Sequence, residues 1–361
     1  TTTIPRPSYG RALTAAVVML GFTATTLVFS RAFWSRRFVF YTAVVWLAIG
    51  LGQRFVRRRR PWVERMVVIT SEKALVEDLL DAPHAEVEAV LEPGGRPPKT
   101  PLEPGTTLAV DLRAVLSDDM ARFVSSTSLA GYPLRSLVSA YEEHTGRLPI
   151  VHLMEGWELT VPLGDRRVYV RLKRLIDTTL IVVTAPLWVP LALLIGLGVR
   201  IDSRGPVIYR QRRVGLEGRP FTLFKFRTMR VGADDGSPKF AARGDERLTR
   251  FGKVLRRTRM DELPQLWNAL VGDVSLVGPR PEQEGFADGF SESIPFYGHR
   301  HLLRPGITGW AQVNFGYADS QADTVEKLSY DLYYVKHVSV WLDLEILGRS
   351  IWTILSGQGA R

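Results

Sequence analysis

Between Asp177 and Arg200 the chain runs for 22 residues without a charge, "TTLIVVTAPLWVPLALLIGLGV", and Pro186 and Pro190 lie inside that run. A helix of about 20 apolar residues is long enough to cross a bilayer. An interior proline removes a helical hydrogen bond and clashes with the preceding turn, so it kinks or breaks the helix. Two architectures satisfy both facts. One is a kinked crossing; the other is a re-entrant helix that dips into one leaflet and returns, its freed backbone satisfied by neighbouring protein. They differ in topology, because a crossing separates the residues before the run from those after it.

Two more apolar stretches precede it. Residues 12–30 are uncharged over 19 positions and residues 38–53 over 16. Both are read as transmembrane helices of a membrane region spanning about 1–60, the second being short for a full span. The first lacks a small-residue cleavage pattern and is soon followed by another apolar run, which argues against a signal peptide. Arg54 and Arg57–Arg60 follow the second stretch and outnumber Arg31, Arg36 and Arg37 by five to three. The cytoplasmic side is therefore expected after residue 53.

The next hundred residues alternate. "RMVVIT" (65–70), "EVEAVLE" (86–92) and "TTLAVDL" (106–112) have strand character, and helical patterns cover 71–82, 117–128 and 133–145, the first capped by Ser71. This order predicts a small Rossmann-like parallel α/β domain over 62–162. The turn after its first strand, "TSEKA", has no glycine, so no dinucleotide cofactor is expected there. A hinge is expected around 162–167.

The remainder, 168–361, holds the chemistry. Asp261 and Glu262 sit among Lys253, Arg256, Arg257 and Arg259, just before Pro264. Proline suits the first turn of a helix, and Leu263, Leu266, Trp267 and Leu270 recur as one apolar face. Asp261 is thus expected at or near a helix N-cap, where the dipole and the arginines would keep it ionised. An ionised carboxylate beside a bound phosphate can attack phosphorus or hold Mg²⁺, a hard cation. On its own the acid pair could equally be a cap and a surface ion pair. The cations around it give it more weight. Arg210, Arg212, Arg213, Lys225, Arg227 and Arg230 fall within about twenty residues, and Arg280 and Arg304 are mounted beside prolines in "GPRPE" and "HLLRPG". Arginine forks match phosphate oxygens. The net charge of +10 also suits anionic partners, and residues 243–259 could hold the domain against anionic lipid. No nucleic-acid motif accompanies the charge. With no cysteine, thiolate chemistry and cysteine-based metal sites are excluded. "GHRH" (298–301) lacks further ligands at helical spacing, and Tyr330, Tyr333, Tyr334 and Trp341 read as packing or interfacial residues.

The motifs "KRLIDTTLIV", "GPVIYRQRRVG", "FKFRTMR", "RFGKVLRRTRMDELPQLWNALVGDVSLVGPRP", "RPGITGWAQVN" and "YDLYYVKH" occur in order across 168–361. Together they resemble the bacterial sugar transferases, which are polyprenyl-phosphate glycosyl-1-phosphate transferases. The front part is similar to that of the large, exopolysaccharide-initiating members. The resemblance implies a membrane protein of mixed α/β class: transmembrane helices, the Rossmann-like domain, and a C-terminal α+β catalytic domain with a re-entrant helix at about 174–199. It implies transfer of a hexose-1-phosphate from a UDP-sugar to polyprenyl (undecaprenyl) phosphate, with release of UMP, on the cytoplasmic face of the bacterial inner membrane. Asp261 and Glu262 match the family's catalytic dyad, the aspartate as nucleophile, with Mg²⁺ as the cofactor held by the pair. Lys225, Arg227, Arg256, Arg280 and Arg304 become the candidates for substrate phosphates.

Two departures stand out. The family's Ser-Pro helix break is Val189-Pro190 here, so Pro190 alone marks the break. Two membrane helices are read where large members carry four, so either more sequence precedes Thr1 or this is a shortened form. An interaction role for the cofactor-free domain would make the protein a homodimer. The rival reading is a catalytically silent membrane scaffold of a polysaccharide assembly system, against which the intact acid pair argues.

Overall fold

A central strand buried on both faces organises the smaller of two units. The computed structural model describes residues 21, 41, 42, 44–50, 52, 53, 63–153, 163–232, 247–315 and 321–356. Its contacts divide the chain into Thr1–Gly146 and Arg147–Arg361. The stretch expected to span at 12–30 lies, but for Gly21, outside the described residues, and of 38–53 the described positions are helical.

In the first unit, β1 (Glu64–Ile69), α1 (Lys73–Leu80), β2 (Ala85–Leu91), β3 (Thr107–Val110), α2 (Asp118–Leu129), β4 (Leu134–Ser136) and α3 (Leu137–Thr145) follow in order. The four strands are parallel in the order β2-β1-β3-β4. Met66 and Val68 face Leu75 and Leu79 of α1 and Ala140 of α3, whereas Val67 and Ile69 face Met120 of α2. A strand buried on both faces with crossover helices is the parallel α/β arrangement that the alternation of strands and helices predicts. Two local expectations fail. Ser71 does not cap α1, whose N-cap is Glu72 with no side-chain bond; Thr70 Oγ1 takes the Glu72 N–H instead. The helix expected over 133–145 begins with a strand, β4, and Ser136 at its end caps α3. The helical pattern read over 133–145 hides a three-residue strand.

The second unit opens with a 3₁₀ turn, Ile150–His152, and then α4 (Leu163–Asp202), 40 residues long. The expected hinge is thus helical from Leu163 onward. Next come β5 (Ile208–Val214) and β6 (Pro220–Phe226), an antiparallel hairpin, then α5 (Arg250–Arg257), α6 (Gln265–Val271) and β7 (Ser275–Val277). After these lie α7 (Glu284–Ser293), β8 (Gly306–Thr308), paired in parallel with β7, α8 (Trp310–Asn314), α9 (Gln321–His337) and α10 (Val340–Ser356). Tyr334, Val335 and Ile346 of α9 and α10 close a core over Val277 and Trp310.

Polar side chains tie the start of α4 down. Lys173 Nζ donates to Asp343 Oδ2 at 2.5 Å, as does Tyr169 at 2.6 Å. Arg174 bonds the carbonyls of Ala269 and Leu270, the latter at 2.7 Å. Asp177 accepts from Ser275 Oγ at 2.5 Å. Further along, Ile181 packs on Leu223, while Ile195 and Val199, beyond both prolines, pack on Phe226 and Leu255. Trp188 Nε1 donates to the carbonyl of Ile181 at 3.0 Å. Pro186 lies between these two residues, where its missing N–H leaves the helix one backbone hydrogen bond short.

The loops at 278–281 and 304–309 run in close contact. A Cβ on Gly306 would stand 2.0 Å from the Gly278 nitrogen, and one on Gly278 2.4 Å from the Arg304 oxygen. No side chain fits at either position, so backbone meets backbone directly behind Arg280.

Candidate active site

Helix α5 ends at Arg257, and Arg259 takes a left-handed conformation with φ of 58°. The reversal feeds a single 3₁₀ turn, Met260–Glu262, that turns both acids inward. Each is 8 % exposed. The N-cap of α6 is Pro264, so Asp261 stands three residues before it, near the cap as expected but not at it. Of the apolar face expected, Leu266 and Leu270 pack on the Leu223 core and Leu263 on the Phe226 core, whereas Trp267 is 54 % exposed. The buried positions of α6 are Gln265, Asn268 and Ala269. Asn268 explains the choice: it takes the Phe224 N–H at 3.0 Å and donates to the Thr222 carbonyl at 2.8 Å, locking α6 to the hairpin.

Three cations converge on Glu262. Arg280 Nη2 is 2.8 Å from its Oε1, Lys225 Nζ 3.6 Å and Arg259 Nη1 3.7 Å. Although burial opposes ionisation, these charges, Arg280 first, hold the carboxyl at about 2. Burial pushes the Lys225 ammonium down to about 8. Asp261 behaves otherwise. Burial and the Glu262 charge raise its pKa, outweighing Lys225, Arg256 and Arg259. The nearby arginines therefore do not lower its pKa below the ordinary value, as their number along the chain suggested. Its Oδ1 is buried without a hydrogen-bond partner.

The other sequence candidates divide. Arg256 donates to Thr228 Oγ1 at 3.0 Å while acting on Asp261 through its charge. Arg227 turns away and bonds the Ser203 carbonyl and hydroxyl, at 2.7 and 2.8 Å, below the end of α4. Arg304 donates to the Gly272 carbonyl at 3.1 Å, satisfying the carboxyl end of α6. Lys225 and Arg280 are thus brought to the acid pair, and Arg227 and Arg304 bond backbone elsewhere.

The prolines beside Arg280 pointed to a rigid mount, but the bonds that make it one were not visible in the sequence. The Arg280 carbonyl accepts from Arg300 at 2.9 Å, the Pro281 carbonyl from Arg213 at 2.9 Å, and the Glu282 carbonyl from the Val214 N–H at 3.0 Å. Arg300 is itself held by Asp331 at 2.6 Å and Tyr297 at 2.9 Å, and Lys327 bonds Glu282. Each carbonyl of the turn is fixed from outside, so the Arg280 guanidinium is presented by a rigid support.

Among the described residues no group of three or more His, Asp or Glu side chains could cage a metal. Magnesium needs no such cage, since it commonly takes one or two carboxylates with substrate phosphates and water. Asp261 Oδ1 fits that requirement. Glu262 Oε1, expected to share the ion, is taken by Arg280. The arrangement can place an anionic nucleophile beside an anionic substrate, with Lys225 and Arg280 offsetting the repulsion.

Residues 168–357 match the family described as bacterial sugar transferase. Over 261 residues the chain is 44 % identical to the UDP-N-acetylgalactosamine-undecaprenyl-phosphate N-acetylgalactosaminephosphotransferase of Aeromonas hydrophila, covering 70 % of this chain and 60 % of that one. Over 215 residues it is 43 % identical to the UDP-glucose:undecaprenyl-phosphate glucose-1-phosphate transferase of Xanthomonas campestris pv. campestris, covering 58 % and 43 %. A protein of the latter name from Escherichia coli (strain K12) is 40 % identical over 216 residues, covering 58 % and 44 %. The chain thus spans about half the length of these curated relatives.

Proposed function

The chain belongs to the bacterial sugar transferase family, and from that membership we propose that it moves a hexose-1-phosphate from a UDP-sugar to undecaprenyl phosphate, releasing UMP. The observation that carries this reading is the inward-facing acid pair, in which one carboxylate is neutralised by Arg280 and Lys225 and the other is left with an unpaired oxygen. Asp261 attacks the sugar-bearing phosphorus, the bond to the UMP oxygen breaks, and an aspartyl-phosphate carries the sugar. The undecaprenyl phosphate oxygen then attacks that phosphorus and the Asp261 carboxylate leaves. Glu262 keeps Arg280 and Lys225 in place. Magnesium, held by Asp261 and the substrate phosphates, would neutralise the diphosphate.

The relatives named above act on different sugars, N-acetylgalactosamine and glucose, so the donor is decided by experiment. Detergent-solubilised protein, undecaprenyl phosphate, Mg²⁺ and a panel of UDP-sugars should give UMP from one donor. No UMP from any of them, with the protein folded, would sink the reading.

On this reading the catalytic domain works on the cytoplasmic face of the bacterial inner membrane, because nucleotide sugars are cytosolic. Among the described residues Val168–Asp202 is the one helix long and apolar enough to cross a membrane. A re-entrant course for it is supported by the packing of its two ends. Residues before Pro186 and after Pro190 both rest on the one hairpin strand β6, at Leu223 and Phe226. Because the chain has no cysteine, the topology is testable with single cysteines at Val168 and Ile201, which are 75 % and 77 % exposed. Both should react with an impermeant maleimide in inverted vesicles and neither in right-side-out ones. Opposite behaviour of the two would mean a crossing.

A further inference from the structure

Helix α6 turns two amides inward, and only one has a structural task. Asn268 is fully buried and bridges Phe224, Thr222 and Asp273. Gln265, one turn nearer the acid pair, is 3 % exposed, and its Nε2 has no acceptor. Four residues before it, Asp261 Oδ1 is buried with no donor. A buried polar group left unpaired costs about 1–3 kcal/mol, and such groups are rare enough to need an explanation. Here a donor and an acceptor are both unpaired one helical turn apart, and they do not pair with each other. Packing alone does not account for Gln265, because methionine would fill the same volume with nothing to satisfy. A tetrahedral phosphoryl group offers oxygens to an amide N–H and an electrophilic phosphorus to a carboxylate.

Building on the transferase reading, we propose that Gln265 is a further catalytic residue, its Nε2–H donating to a non-bridging oxygen of the phosphoryl group as it passes to and from Asp261. The bond gains strength as charge develops on that oxygen, which places its effect on turnover more than on donor binding. A purely structural glutamine would have the opposite signature.

The test measures UMP release and melting temperature for the wild type, Gln265→Met and Gln265→Glu on the donor the wild type uses. Gln265→Met should lose 10²–10³-fold in kcat, the order expected for one donor to a developing oxyanion. KM should change little, and melting should be unchanged or higher, since an unpaired buried amide has been removed. Gln265→Glu keeps the shape, loses the donor and adds an anion beside Asp261, so it should be at least as slow. If Gln265→Met turns over within about threefold of the wild type, or if both variants melt well below it, the inference is overturned while the transferase reading stands. A wild type that releases UMP from no donor overturns both.

Discussion

Asp261→Asn should release UMP on the order of 10⁴-fold more slowly than the wild type or worse, as when a nucleophile is removed from a unit that acts together. It should do so without losing stability. The Asp261 carboxyl is pushed toward its neutral form by burial and by Glu262, and a neutral amide of the same shape relieves that repulsion. The pair of results, lost turnover with unchanged or raised melting temperature, separates a catalytic role from a structural one. With a donor labelled on its sugar-bearing phosphate, the quenched wild type should carry label on protein and Asp261→Asn none. Turnover without protein-bound label would leave Asp261 only the holding of Mg²⁺. Because its pKa is raised, the acid side of the kcat/KM profile should break above 3.8, the ordinary value for this carboxyl.

The second large effect concerns Arg280. Its replacement by methionine should lower kcat/KM by a factor on the order of 10²–10³, since a fixed charge aimed at the phosphates is lost. Arg280→Lys should recover only part, because a point charge does not reproduce the guanidinium fork. The pH dependence follows from the same contacts. Glu262 is held near 2 against an ordinary 4.5, a difference that corresponds to about 3 kcal/mol of stability. That contribution is complete above 4.5 and is lost as pH falls toward 2. In Arg280→Met, Lys225 and Arg259 remain, so the carboxyl rises partway and acid unfolding begins at higher pH. Lys225 has the reverse sign. Its folded value is depressed from 10.5 to about 8, so its buried charge costs stability below 8, and the cost is relieved as pH rises from 8 to 10.5. Activity runs against stability there. The alkaline side of the kcat/KM profile should fall near 8, and Lys225→Arg should remove that fall. A wild-type profile flat through pH 9 would mean Lys225 does not meet the substrate as a cation.

The charged members of the site were legible because charge and turn chemistry are local. Asp261 and Glu262 stood out among cations before Pro264, and Arg280 between prolines. Arg227 misled, because only nearness in sequence joins it to Lys225. The strand ends at Phe226, and Arg227 serves Ser203 instead. Arg304 misled through its proline, though its fork satisfies the end of α6. Counting cations along the chain gave the wrong sign for the pKa shift of Asp261, because burial and its neighbour dominate. The prolines beside Arg280 hinted at a rigid mount, but the long-range bonds that fix it could not be read. Arg300 and Asp331 lie 31 residues apart, Lys327 and Glu282 45, and no local pattern joins them. Gln265 carries no charge, and its meaning lies in a missing partner. In the first unit β4 escaped because three residues hold no period.

The polar contacts that tie down the start of α4 also govern how the protein is made. Lys173, Arg174 and Asp177 find their partners at Asp343, in the carbonyls of Ala269 and Leu270, and at Ser275. A ribosome adds about 5–20 residues per second, so Asp343 follows Lys173 by roughly ten to thirty seconds. Ala269, Leu270 and Ser275 are made before Asp343, so the contacts of Arg174 and Asp177 can form while Lys173 still waits for its partner. The anchoring of α4 is complete only when α10, which carries Asp343, has been made.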